Sequence, residues 1–323
     1  MVKANAYGLG VGSVAQALKE EGCKTFFVAT LPEAMELRLI LGDEPIIAML
    51  NGYLGKNASL YLDNNITPVL NDIEDLRSYK SQGENLPAIV HIDTAMNRLG
   101  MDADDITPAD LEGLNVKALM SHFASSEDNE TDLNDIQVER FEKVAQSFEG
   151  APKCLCNSSG IFLNDSFHYE MVRPGMALYG LNPTPYADNP MRPVITLDTE
   201  ILQIHDAKEG EMAGYNAAHR FDRGARLAVV DIGYADGIFR SLSNNGNLYW
   251  NNVPCPIRGR VSMDLLIVDL CNIPLADHPK KGDRLEVIGV NQTADDLAKD
   301  AGTIGYEILT SLSRRYERKY ITP

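Results

Sequence analysis

Short apolar runs alternate with helical periodicity as far as residue 180. The runs occupy residues 1–4, 26–30, 46–50, 67–70, 88–92, 118–123, 154–157 and 171–173. Between them apolar residues recur at i, i+3, i+4 and i+7, as in Val11, Val14, Ala15 and Leu18, or Val138, Phe141, Ala145 and Phe148. That spacing gives a helix one buried face. Thr30-Leu31-Pro32-Glu33 predicts the start of one such helix, a capping box with proline in its first turn, and Gly42 predicts its end. Eight strand–helix units predict an α/β fold, a (β/α)8 TIM-type barrel. A doubly wound open sheet is the alternative, but eight units in so short a span favour closure.

Helical patterning fades near residue 193. Strand-like runs follow at 197–204, 226–232, 256–259, 265–270 and 284–290, and only 294–300 and 304–314 return to helical spacing. Asn244-Asn245-Gly246-Asn247 predicts a hairpin turn. The expected organisation is a barrel over residues 1–192, its first strand incomplete, joined directly to a mainly β C-terminal domain over residues 193–323.

Composition narrows the function rather than the fold. The 323 residues carry a net charge of −17 with 44% hydrophobic and 23% charged residues, an ordinary globular balance. The acidity argues for solubility and against a nucleic-acid backbone or an anionic membrane surface as partner. No apolar run approaches the length of a membrane span, and no signal-peptide pattern opens the chain. Cys23, Cys154, Cys156, Cys255 and Cys271 are odd in number and scattered, which predicts buried structural thiols, no metal site and the reducing cytoplasm.

Candidate chemistry begins at Lys3, on an apolar strand end before a glycine-rich turn and a helix. A lysine so placed suits a Schiff base to pyridoxal phosphate. Gly8-x-Gly10-x-Gly12 imitates a dinucleotide fingerprint, but Ser13 stands where its third glycine is required. Active-site residues of a barrel lie beyond the C-terminal ends of its strands. Those positions hold Lys3 and Tyr7, then Arg98, His122, Asn157-Ser158 and Arg173-Pro174-Gly175. The turns at 157–160 and at Gly175-Met176 offer backbone N–H groups to an anion. Together these residues predict a phosphate-bearing ligand.

Seven collinear stretches carry a family resemblance: Val2-Lys3-Ala4-Asn5-Ala6-Tyr7-Gly8, Asp93-Thr94-Ala95-Met96-Asn97-Arg98-Leu99-Gly100, Ser121-His122-Phe123-Ala124, Val172-Arg173-Pro174-Gly175, Ala177-Leu178-Tyr179-Gly180, Ile232-Gly233-Tyr234-Ala235-Asp236-Gly237 and Gly259-Arg260-Val261-Ser262-Met263-Asp264. The chain resembles alanine racemase over essentially its whole length. The resemblance implies a pyridoxal 5'-phosphate enzyme that interconverts L- and D-alanine, supplies D-alanine for peptidoglycan, and works as a cytoplasmic homodimer with active sites shared between subunits. It implies Lys3 as the cofactor lysine and one base, with Tyr215 of the partner subunit as the other. Arg173 would face the pyridine nitrogen, and His122 would support it. Asn157, Ser158, Gly175, Met176 and Tyr306 would hold the phosphate, with Tyr7 nearby. Arg98 would meet the cofactor phenolate and the substrate carboxylate. Met263 would offer its backbone N–H to that carboxylate, while Tyr234 and Asp264 narrow the entrance.

The chain departs from the family in three places. Relatives carry a further stretch ahead of the lysine, which supplies a strand of the β domain, a barrel-closing helix and most of the first barrel strand. A start assigned too late, or a truncated form, would account for this, and the former is the expectation. His91 stands where many relatives place a lysine that becomes carboxylated and orients the arginine, so Arg98 must be held differently. Leu9 replaces a common histidine. The alternatives are a broader racemase acting on serine or lysine, and a truncated pyridoxal-phosphate-binding protein without turnover.

Overall fold

A computed structural model describes residues 1–53, 58–148 and 150–321. The chain divides into two compact units, Met1–Leu178 with Asn182–Met191, and Tyr179–Leu181 with Arg192–Pro323.

In the first unit the strands are β1 (Thr25–Val28), β2 (Ile46–Met49), β3 (Ile66–Leu70), β4 (Leu86–Asp93), β5 (Met101–Asp102), β6 (Leu114–Met120) and β7 (Lys153–Cys154). They pair in parallel in the order β1-β2-β3-β4-β6-β7, with short β5 beside β4. The predicted runs at 1–4 and 171–173 do not form regular strands, yet both extend the ladder. Met171 N donates to Lys153 O (3.2 Å) and Arg173 N to Cys156 O (3.0 Å). Val2 N donates to Phe27 O (3.0 Å), and the Met1 amine to Pro174 O (3.1 Å). The parallel sheet thus curls round in a TIM-type barrel. Phe27, Ala48, Val69, Ile89, Ala118, Met120 and Cys154 form a buried cluster in its interior, with Met1, Leu50 and Met171 packed against it. Alternating inward residues from successive strands fill such a barrel as a core rather than a pore.

Lys3–Tyr7 is a turn of helix, but of the wrong hand for L-residues. Ala4, Asn5, Ala6 and Tyr7 have φ of 52°, 56°, 53° and 54°, and Ala6 N→Val2 O (2.9 Å) and Gly8 N→Ala4 O (2.8 Å) close it. Each such residue costs about 1–2 kcal/mol against the right-handed form, so surrounding contacts must hold the turn. The predicted helix after β1 is Leu31–Leu41, with its capping box, its early proline and Gly42 at the C-cap.

The second unit has β8 (Leu197–Ala207), β9 (Met212–Ala213), β10 (His219–Arg220), β11 (Ala225–Val230), β12 (Asn247–Trp250), β13 (Val253–Pro256), β14 (Leu266–Asp269) and β15 (Arg284–Ile288). Six of them form an antiparallel sheet in the order β13-β12-β15-β8-β11-β14, and β9 pairs with β10. Helices Ala294–Ala301 and Gly305–Ser311 follow. The hairpin turn is not at 244–247. β12 begins at Asn247, and the two-residue turn is Asn251-Asn252, with φ of 45° and 70° between paired Trp250 and Val253. Positive φ at both central residues is the geometry that two-residue hairpins prefer, and asparagine tolerates it. The Asn-Gly pair at 245–246 gave the stronger sequence signal but serves a different turn.

Candidate active site

The catalytic end of the first unit is organised around Arg173, only 4% exposed. Its Nη1 donates to Cys154 O (2.9 Å) and Cys154 Sγ (2.8 Å), and its Nη2 to Ser121 O (2.6 Å), Leu155 O (3.2 Å) and His122 Nδ1 (2.9 Å). Among the described residues its Nε–H has no acceptor, so that donor is left for a ligand. The contact requires His122 to be neutral with Nδ1 as acceptor. Burial, then Arg173, Arg98, His91 and Lys3, hold the imidazole well below its ordinary pKa, which agrees.

Lys3 lies partly buried at the start of the left-handed turn. Burial and then the Arg98 guanidinium lower its ammonium pKa, while Glu33 pulls the other way. A depressed lysine pKa favours the neutral amine that can act as nucleophile or base. Tyr7 closes the turn, and burial pushes its hydroxyl up to about 12, so it stays a proton donor.

Gly175 and Ser158 form a tight cradle beside Tyr7. A Cβ on Gly175 would stand 2.6 Å from Tyr7 Oη, so only glycine leaves this space. The Gly175 N–H is not free as the sequence suggested. It donates to Ser158 Oγ at 2.7 Å, as Ala177 N does at 3.2 Å. With its oxygen accepting from two amides, the Ser158 hydroxyl keeps its own proton to donate elsewhere. Asn157 Oδ1 accepts from Ser126 Oγ (2.8 Å) and Gly160 N (2.9 Å), shaping the turn into the 3-10 segment Gly160–Phe162. Met176 is buried beside them, and Ser159 Oγ reaches its Sδ at 4.0 Å.

Arg98 is exposed on the loop after β4. Asp93 Oδ1 folds that loop by accepting from Ala95 N (3.0 Å) and Met96 N (2.8 Å). His91 does not reach toward Arg98 in place of a carboxylated lysine. It is buried, and its Nδ1 meets Asn71 Oδ1 at 2.8 Å. Asn71 Nδ2 donates to Leu50 O and Val69 O, so Oδ1 is the acceptor and His91 carries its proton on Nδ1. Burial and the nearby arginines 173 and 98 lower the His91 pKa to about 4, against the pull of Asp93.

Sequence reasoning missed Gln137, which is fully buried. Its Oε1 accepts from Ala124 N (2.8 Å), and its Nε2 donates to His122 O (2.9 Å) and Thr94 Oγ1 (3.2 Å). Thr94 Oγ1 pairs in turn with Ser121 Oγ at 2.7 Å. This network ties the loop carrying Arg98 to the strand end that holds Arg173. The available signal was a polar residue four before Phe141, on the helix's apolar face.

The remaining candidates belong to the second unit. Tyr215 is 72% exposed in a short turn after β9, and Gly214, at φ 74°, backs this turn onto Arg260. The loop ending in Met263 and Asp264 packs on the 233–236 turn through Tyr234 N→Ser262 O (3.0 Å) and Ala235 N→Met263 O (2.9 Å). A Cβ on Gly233 would collide with Met263 O. Arg315 Nη1 bridges Asp264 (2.9 Å) and buried Asp236 (3.1 Å). Met263 and Tyr234 are exposed, and Tyr306 lies in the first turn of Gly305–Ser311.

The first unit's donor set fits pyridoxal phosphate: a lysine of lowered pKa, a buried guanidinium with an unassigned Nε–H, and a hydroxyl-lined cradle that a single methyl would fill.

Comparison with known proteins agrees. The family described as alanine racemase, N-terminal domain, matches residues 1–183, and alanine racemase, C-terminal domain, matches residues 194–320. A catabolic alanine racemase of Agrobacterium fabrum is 42% identical, over 100% of this chain and 85% of its own length. An alanine racemase of Acidiphilium cryptum is 43% identical over 98% of this chain and 90% of its own. The crystal structure of alanine racemase from Bartonella henselae with covalently bound pyridoxal phosphate superposes with a TM-score of 0.94 at 38% identity. It covers 99% of this chain and 91% of that one.

Proposed function

The chain belongs to the alanine racemase family and interconverts L- and D-alanine with pyridoxal phosphate; from that premise we propose that Lys3 and Tyr215 of the partner subunit are its two bases. The observation that carries the reading is Arg173, a buried arginine fixed by peptide carbonyls where a ring nitrogen would be met. Pyridoxal phosphate, when bound, supplies the electron sink that acidifies the substrate Cα–H.

Lys3 would hold the cofactor, Arg173 would meet its ring nitrogen, and Tyr7, Asn157, Ser158, Gly175, Met176 and Tyr306 would hold its phosphate. Arg173 cannot give up a proton, so opposite a ring nitrogen it would leave that nitrogen unprotonated and the electron sink weak, which would disfavour transamination. Arg98 would meet the cofactor phenolate and the substrate carboxylate, to which Met263 of the partner subunit would also offer its N–H. Inversion needs a proton removed from one face of Cα and delivered to the other. Lys3 Nζ serves one face and the partner's Tyr215 Oη the other, and the roles exchange with direction. Exposed Tyr215 and Met263 suit coverage by a second copy, so the active form is a homodimer with shared sites. Tyr234 and Asp264 narrow the entrance to small side chains.

Among the described residues no helix is long and apolar enough to cross a membrane. All five cysteines are free thiols, which suits the reducing cytoplasm. The D-alanine formed supplies peptidoglycan, although some relatives carry the name catabolic. Purified chain with pyridoxal phosphate should racemise alanine, and Lys3→Ala should abolish this. Activity untouched by Lys3→Ala would overturn the assignment. Turnover of serine or lysine at comparable rates would make this a broader racemase. Rescue of a D-alanine-requiring bacterium tests the supply role.

A further inference from the structure

We infer that Glu33 is a positioning residue for Lys3, holding the left-handed turn that begins at the lysine. The inference rests on Lys3 being the cofactor lysine. Its basis is a carboxylate shared between two elements. Glu33 Oε2 accepts from Ala29 N (2.8 Å) and Thr30 N (3.2 Å), which alone would make it a helix-capping residue. Its other oxygen, Oε1, accepts from Ala4 N at 2.7 Å, the amide directly after Lys3 and 29 residues away in sequence.

Ala4 is the first of four successive L-residues at positive φ. Such a turn does not hold itself, because every residue in it prefers the other hand. Its far end is tied by Asn5 Oδ1, which accepts from Val11 N (2.8 Å). Its near end is tied by Val2 N→Phe27 O and by Glu33. Glu33 sits in the first turn of the helix that follows β1 and so fixes the lysine's backbone to the neighbouring strand–helix unit of the barrel. The charged and titratable groups facing Lys3 are Arg98 from the loop after β4, Glu33, the Met1 amine, whose pKa burial lowers to about 6, and His122 just beyond β6, which is held neutral. Of these only Glu33 is an anion. It offsets Arg98, so its removal should leave the lysine more readily neutral but less well aimed.

The test is competitive acetylation of the cofactor-free protein with acetic anhydride across pH, read lysine by lysine by peptide mass spectrometry. The other lysines serve as internal references. In Glu33→Gln, Lys3 should acetylate about threefold or more faster than wild type on the acid side of its profile. Its profile should move to lower pH while the other lysines stay unchanged. Thr30→Ala, which removes the helix cap but not the carboxylate, should leave the Lys3 profile where it was. Equal Lys3 profiles in Glu33→Gln and wild type would overturn the inference, as would an equal shift in Thr30→Ala. Pyridoxal phosphate added before the reagent separates the two levels of the argument. Protection of wild-type Lys3 upholds the cofactor assignment, whereas its absence overturns that assignment and this inference with it.

Discussion

Arg173 Nη2 lies 2.9 Å from His122 Nδ1, and each residue dictates the state of the other. The guanidinium forbids a proton on Nδ1, and the neutral imidazole in turn keeps the guanidinium pointed. His122→Ala should therefore lower kcat/KM by about tenfold to a hundredfold. His122→Asn, whose amide oxygen can accept in place of Nδ1, should recover most of it. Steady-state racemisation of both variants, with unfolding curves to check the fold, decides this. Equal losses in the two would mean that the acceptor is not what matters.

Acid stability should depend on His91. Unfolded, it titrates near 6.5; folded, its pKa is lowered to about 4. Between those values the unfolded chain binds a proton that the folded chain refuses. The stability from this site is whole above pH 6.5 and is lost as pH falls toward 4, by roughly 3 kcal/mol. Asp75, raised to about 6 chiefly by burial, acts in the opposite sense, so the difference between wild type and His91→Gln is the informative quantity. Denaturant unfolding at several pH values between 4 and 7 should show a shallower acid decline in the variant.

Gly175→Ala should weaken cofactor binding with little effect on the fold elsewhere. The added methyl would stand 2.6 Å from Tyr7 Oη and displace it from the cradle. A strain of this kind costs about 1–3 kcal/mol, or about tenfold to a hundredfold in affinity. Titration of the cofactor-free variant with pyridoxal phosphate, followed by fluorescence, measures it directly.

The proposed sharing of sites between subunits makes a quantitative prediction. Lys3→Ala and Tyr215→Phe should each be inactive alone. Mixed and re-associated in equal amounts, half the dimers are heterodimers, each with one intact site. About a quarter of wild-type activity should return. No recovery, with re-association confirmed by mass, would place Lys3 and Tyr215 in the same subunit's site.

Much of the fold was legible because burial leaves a periodic trace. The strands β1 to β4 and the helix Leu31–Leu41 lie where apolar spacing and capping residues put them. The first and last barrel segments were read as strands because an apolar run does not reveal its backbone angles. Residues 1–4 pass instead into a left-handed turn, which barrel and carboxylate contacts impose against local preference. The hairpin was misplaced for a related reason: Asn-Gly and Asn-Asn both tolerate positive φ, and strand pairing chose between them.

By itself the sequence determined the architecture, the family and the chemical types present: a lysine, two arginines, a histidine and a serine at strand ends. The architecture and the chemical types follow from local composition and spacing, and the family from the resemblance of seven motifs; none of these needs knowledge of distant contacts. Only the tertiary structure decided what each group is. It lowered the Lys3 pKa by burying it beside Arg98, left the Ser158 proton to donate by giving its oxygen two amides, and fixed Arg173 on carbonyls from the segments after β6 and β7. It also joined Glu33 to Ala4, and Gln137 to Thr94 and His122, through contacts between residues far apart along the chain. Protonation and aim depend on neighbours in space, and the order of residues does not contain them.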